Sequence, residues 1–139
     1  DGGLDRAKLG ERVFADPAAR KQLEAITHPR IATRFFEETV RARDDGIPVL
    51  VYEAALLVES GARHAVEALV VVTAPPSLQE ARVGDRDGLG ADAAQARIAA
   101  QAPVQEKVAV ADFVIKNEGT LAELSARVDR LWEDLTHDA

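Results

Sequence analysis

Leu4, Leu9 and Val13 recur near helical spacing and predict a first helix that ends at Ala15. Asp16-Pro17 follows, an N-capping carboxylate before a proline at the first helical position, and restarts a helix that runs to about Ile26. His28-Pro29 then predicts a break, because a residue before proline is pushed out of the α region. A third helix from Pro29 carries Ile31, Phe35, Phe36 and Val40 and stops near Asp44-Asp45-Gly46.

There the period changes. Ile47-Pro48-Val49-Leu50-Val51-Tyr52 is a nearly continuous apolar run, the pattern of a strand buried on both faces. Leu69-Val70-Val71-Val72 is a second such run and Asp112-Phe113-Val114-Ile115 a third. Helical segments are expected between them over 78–86, 92–101 and 104–110, with a mobile loop over Gly84–Gly90. Thr120 and Glu123 form a T-x-x-E capping box, after which Leu121, Leu124, Val128, Leu131, Trp132 and Leu135 share one stripe of a final helix. Strands alternating with helices predict an α/β doubly wound parallel sheet, covered on both sides. Three strands are few for that class, and a β-α unit ahead of Asp1 would complete it.

Composition narrows the function. The 139 residues are 47% hydrophobic and 29% charged, the balance of a globular domain with a core. No run reaches the roughly 18 apolar residues of a membrane span, and the first residues lack a basic-then-apolar leader. Cysteine is absent and histidine occurs three times, so disulfide and thiolate chemistry are excluded and a cytoplasmic setting is expected. A net charge of −7 gives no global field for nucleic acid or anionic membrane, so neither is an expected partner. An anionic ligand has to meet a local cluster of arginines, the commoner cation here. Methionine is also absent, so the first residue is not an initiator and a trimmed or partial chain is expected.

Several constellations could carry chemistry. Arg82 and Arg86 stand four apart on one helical face, with Arg97 and Gln101 on the next helix. They would either close over a polyphosphate or pair at the surface with Glu80, Asp85 and Asp87. Leu4-Asp5-Arg6 and Ile26-Thr27-His28-Pro29 are placed at helix starts, where free N–H groups favour anions; alternatively His28 caps its helix and Arg6 pairs along its own. Glu53 and Glu59 flank Ala54-Ala55-Leu56-Leu57-Val58 beyond the first expected strand, at the ligand crevice of open α/β sheets, and would orient a metal-bound water or a hydroxyl, or simply close a short helix. Asn117, after the last strand, either reads a purine edge with its amide or forms an ordinary Asn-x-Gly turn.

In this order the pieces resemble the dephospho-coenzyme A kinase family over essentially the whole chain. The resemblance rests on Leu4-Asp5-Arg6, Leu9 and Val13-Phe14; Leu23-Glu24, Ile26-Thr27-His28-Pro29 and Ile31; Leu56-Leu57-Val58-Glu59; Gln79, Arg82 and Arg86; Arg97-Ile98 and Gln101; and 111–117. It implies a three-layer, parallel-sheet P-loop kinase-like core, incomplete at the N-terminus, with a helical substrate-binding part and a lid. It also implies transfer of the γ-phosphoryl of ATP to the ribose 3′-hydroxyl of dephospho-coenzyme A. On that resemblance Arg6, His28, Leu56, Leu57 and Glu59 contact dephospho-coenzyme A, and Arg82 and Arg86 grip the ATP phosphates from the lid. Arg97 and Gln101 support the lid, and Asn117 lies beside adenine.

The resemblance divides the chain into a helical substrate part at 1–46, core strands and crevice at 47–76, a lid at 77–103, and a core strand with the final helix at 104–139. Ala55 stands where the family usually has proline. No G-x-x-x-x-G-K-[ST] loop occurs in the 139 residues, so the ATP cradle and the Mg²⁺ ligands are expected outside them, and this chain alone is not expected to turn over. The rival readings are a non-catalytic relative that binds coenzyme A-like nucleotides without a P-loop, and another nucleotide-kinase-like enzyme.

Overall fold

The computed structural model describes residues 3–88 and 90–137, which group into two compact units divided between Glu53 and Ala54. In the first unit, Asp5 caps helix α1 (Arg6–Ala15) by accepting a hydrogen bond from the Lys8 amide at 3.1 Å. Asp16 caps α2 (Pro17–Asp44), its Oδ1 accepting from the Ala18 and Ala19 amides at 2.8 and 3.2 Å. These caps satisfy donors that a helix start leaves unpaired. The two helices pack together, and Val13 and Ala19 are their buried residues.

The break expected at His28-Pro29 is absent: α2 continues through Pro29. Proline removes one donor and crowds the preceding turn, yet α2 runs on through it, and side chains nearby bond carbonyls one turn back along the helix. Thr27 Oγ1 donates to the Leu23 carbonyl at 2.9 Å, Arg30 Nη1 to that of Ile26 at 2.7 Å and Thr33 Oγ1 to that of Pro29 at 3.0 Å. The helix ends at Gly46, whose φ of 66° permits paired bonds from Gly46 N to Arg43 O and from Ile47 N to Ala42 O.

The strand expected over Ile47–Tyr52 does not form among the described residues. A strand exists by its ladder, and an apolar run without a partner strand stays irregular. Val51 is 79% exposed, the opposite of burial on both faces. Tyr52 instead lays its ring against Phe35 of α2, with centroids 4.6 Å apart and planes tilted by 33°.

The second unit opens with turns over Ala55–Ser60, closed by Gly61 at φ 72° and followed by a 3₁₀ turn, Ala62–Ala65. Strand β1 (Val70–Thr73) and strand β2 (Phe113–Lys116) pair in parallel, Val70 opposite Phe113 and Thr73 opposite Lys116. Between them come α3 (Pro76–Asp87), α4 (Ala91–Ala99) and α5 (Val104–Ala109), and α6 (Leu121–His137) follows β2. Both strands lie within a residue of the expected positions, but each buries one face: Val71 and Ile115 are in the core with Leu57 and Leu69, while Val72 and Val114 are exposed.

The loop expected over Gly84–Gly90 is shorter than the glycines imply. Residues 84–87 remain helical and the chain turns at Gly88, φ 64°; Leu89 lies outside the described residues. The capping box forms as expected, Glu123 Oε2 accepting from the Thr120 amide at 2.7 Å and Thr120 Oγ1 from the Glu123 amide at 3.3 Å. Of the apolar stripe on α6, Leu124, Leu131 and Leu135 are half-buried, whereas Leu121, Val128 and Trp132 are exposed.

Candidate active site

Parallel strands end together, and the carboxyl end of this sheet opens into a cleft of about 640 Å³. Thr73 at the end of β1, Ala74 just after it, Gln79 of α3, Gln101 after α4, Lys107 of α5 and Asn117 after β2 line it. Gln79 Nε2 donates to the Ala74 carbonyl at 2.7 Å and fixes the point where α3 leaves the sheet. The Asn117 amide donates to the Thr73 carbonyl at 2.7 Å, which extends the ladder and holds Asn117 at the rim.

The structure brings the predicted residues of the second unit together in three groups. Arg82 Nη1 donates to the Asn117 carbonyl at 3.2 Å, joining the expected lid to the expected adenine side. Arg86 forks onto Asp87 through Nε and Nη2 at 2.8 and 3.0 Å, and Arg97 bonds the same carboxylate. The Arg86 hydrogen bonds, and secondarily Arg97, hold the Asp87 carboxyl below its ordinary value, while Asp87 raises that of Arg86. The surface pairing weighed for Arg86 from sequence is thus present, and it also draws two expected lid arginines onto one acid.

The third group centres on Lys107, which the sequence reading missed. Lys107 Nζ donates to Glu59 Oε1 at 2.8 Å, Gln101 Oε1 at 2.8 Å and the Ala55 carbonyl at 3.2 Å. Glu59 Oε1 also accepts the Ala102 amide at 3.0 Å. Burial pushes the Glu59 carboxyl up, but the hydrogen bonds and charge of Lys107, with backbone donors, outweigh it and hold it below its ordinary value. Its trace in the sequence is faint, a lone lysine between Val104 and Val108 on a six-residue helix. Next to Glu59, Leu57 is core at 8% exposure and Leu56 is exposed.

Arg6 and His28 belong to the first unit, and both are exposed. Arg6 opens α1, as expected, but the continuity of α2 puts His28 mid-helix, so it neither caps a helix nor sits at a helix N-terminus. This unit contains a cavity of about 400 Å³ that neither residue lines. Phe35, Leu50, Val51 and Tyr52 form its apolar wall, with Arg30 and Arg34 alongside. Arg34 pairs with Glu37 at 3.7 Å and with Glu38. The sequence pattern places Leu50, Val51 and Tyr52 in a strand buried on both faces, not along the wall of a cavity.

Among the described residues, no group of three or more histidine, aspartate or glutamate side chains could hold a metal ion. No helix is long and apolar enough to cross a membrane.

A family model described as dephospho-CoA kinase matches residues 1–123. The dephospho-CoA kinase of Anaeromyxobacter dehalogenans is 51% identical over 135 residues, covering 97% of this chain and 64% of that protein. That of Geobacter sulfurreducens is 46% identical over 132 residues, covering 95% of this chain and 67% of its own length. The crystal structure of TT1252 from Thermus thermophilus superposes with a TM-score of 0.77 at 35% identity, over 97% of this chain and 69% of that one. The dephospho-CoA kinase from Campylobacter jejuni gives 0.64 at 33% identity, over 100% and 69%. The chain therefore spans about two thirds of the proteins it matches, and the parallel β1–β2 pair with its helices is part of their P-loop kinase fold. A match over 123 of 139 residues, with half of the positions identical to one relative, assigns the chain to the dephospho-CoA kinase family.

Proposed function

We propose that the native protein carrying this chain transfers the γ-phosphoryl group of ATP to the ribose 3′-hydroxyl of dephospho-coenzyme A, giving coenzyme A. The observation that carries this reading is the cleft at the carboxyl end of the β1–β2 pair. Arg82, Asn117, Gln101 and Glu59 meet in or beside it, on elements that come from three separate parts of the sequence. Two ligands have to be held together for transfer, and fixed donors near the transferring group stabilise charge as it develops.

In this reading Arg82 and Arg86 bind the ATP phosphates, and Arg97 holds Asp87 and Arg86 in place. For Arg86, itself exposed, that requires the triphosphate to replace the half-buried carboxylate of Asp87 as its partner. Asn117 lies beside adenine. Arg6, His28, Leu56, Leu57 and Glu59 serve dephospho-coenzyme A, with Leu57 acting from the core beneath the crevice. Mg²⁺ accompanies ATP in the proposed reaction, and among the described residues no group of three or more acidic or histidine side chains would hold it.

The test is direct. The native protein incubated with ATP and dephospho-coenzyme A should form coenzyme A and ADP in equal amounts, read by mass spectrometry and a coupled ADP assay. Binding of both nucleotides without product would favour the non-catalytic relative. Transfer to other nucleosides in preference to dephospho-coenzyme A would favour a different nucleotide kinase.

A further inference from the structure

Lys107 is placed where two otherwise separate pieces of the site meet. The α3–α4 hairpin leaves the sheet at Ala74–Pro75 and returns through residues 100–103 to α5. Its outgoing root is pinned by Gln79 on the Ala74 carbonyl. Its returning root is pinned by Lys107 on Gln101 and by Glu59 on the Ala102 amide. The turn that carries Leu56, Leu57 and Glu59 is held by the same ammonium, through Glu59 and the Ala55 carbonyl.

An ammonium has three donors, and Lys107 has three acceptors within 3.2 Å. Its side chain is 15% exposed and that of Glu59 21%, so neither is a freely solvated surface charge. Arginine does not substitute well here, because a planar fork cannot reproduce three bonds converging on one nitrogen. Methionine keeps the apolar stem and removes every donor.

We infer that Lys107 is a positioning residue that fixes the root of the lid hairpin against the wall of the acceptor crevice, and so couples the two substrate sites. The inference rests on the proposed transfer reaction and extends it: Lys107 acts by setting where Gln101 and Glu59 stand.

The experiment is steady-state kinetics of the native protein and its K107M, E59Q and Q101A variants, with ATP and dephospho-coenzyme A varied in turn. K107M should lower kcat by at least about tenfold, the loss of one charge-assisted hydrogen bond, and raise KM for both substrates. E59Q should raise KM chiefly for dephospho-coenzyme A, and Q101A chiefly for ATP. The K107M/E59Q double variant should lose little more than K107M alone, because the two side chains act as one unit. Hydrogen exchange supplies a readout independent of turnover: the Ala102 amide should lose protection in K107M.

A fall in kcat with both KM values unchanged would mean only that less protein is folded, and would overturn the inference. So would additive losses in the double variant, or unchanged exchange at Ala102. If the unsubstituted protein makes coenzyme A and K107M matches it, this inference alone fails. If the unsubstituted protein makes none, the functional reading fails and the inference falls with it.

Discussion

Asp112 offers the sharpest test of how the second unit is held together. Its Oδ2 accepts the Leu69 amide at 2.7 Å and Arg63 Nη2 at 2.7 Å, so one carboxylate ties the start of β1 to the start of β2. Asp112→Ala removes both bonds. Leu69 is 6% exposed, and leaving its N–H unpaired there costs about 1–3 kcal/mol. Arg63 keeps the carbonyls of Val66 and Val110, each at 3.3 Å, and its side chain is 25% exposed, so its loss is about 1 kcal/mol. The total, about 2–4 kcal/mol, is a large part of the stability of an ordinary domain. Asp112→Asn keeps an oxygen for the Leu69 amide and gives up only the charge, at a cost of about 1 kcal/mol. Urea denaturation of the native protein followed by circular dichroism measures both. With a slope of about 2 kcal/mol per molar urea, Asp112→Ala should lower the midpoint by about 1–2 M at unchanged slope. A loss below about 0.5 kcal/mol for Asp112→Ala, or equal losses for the two variants, would refute the role given to the Leu69 amide.

The remaining predictions concern the site. Arg86→Ala should reduce kcat more than about tenfold with a smaller change in KM for ATP, because its charge is most useful as transfer proceeds; an unchanged kcat would remove it from the site. His28→Ala should weaken dephospho-coenzyme A binding in calorimetry and spare ATP, and equal weakening of both would indicate a folding effect. The folded Glu59 carboxyl lies below its ordinary value of 4.5, so the stability it contributes is complete above that pH and is lost as pH falls through the folded value. Denaturation midpoints measured from pH 7 down to 3.5 should therefore fall less steeply at the acid end in Glu59→Gln than in the unsubstituted protein.

Local signals were legible wherever the interaction is between near neighbours in sequence. Asp16 caps α2 and the Thr120–Glu123 box starts α6, because each needs only residues two or three apart. The apolar runs at Leu69–Val72 and Asp112–Ile115 gave β1 and β2 to within a residue. The motif residues Arg82, Arg86, Arg97, Gln101 and Asn117 were likewise visible, and the resemblance they carry led to the family.

Tertiary structure decided the rest. Pro29 reads locally as a stop, yet α2, packed against α1, runs on through it, and His28 lies in a helix interior instead of at a helix start. Ile47–Tyr52 has the composition of a buried strand, but composition cannot supply the hydrogen-bonding neighbour that makes a strand. Lys107 meets Glu59 across 48 positions of sequence, and Arg63 meets Asp112 across 49. Neither pair has a periodic or capping signature. A charge becomes a structural clamp only when folding excludes most of its water and aims the partner at it, and that depends on where distant segments of the chain come to rest.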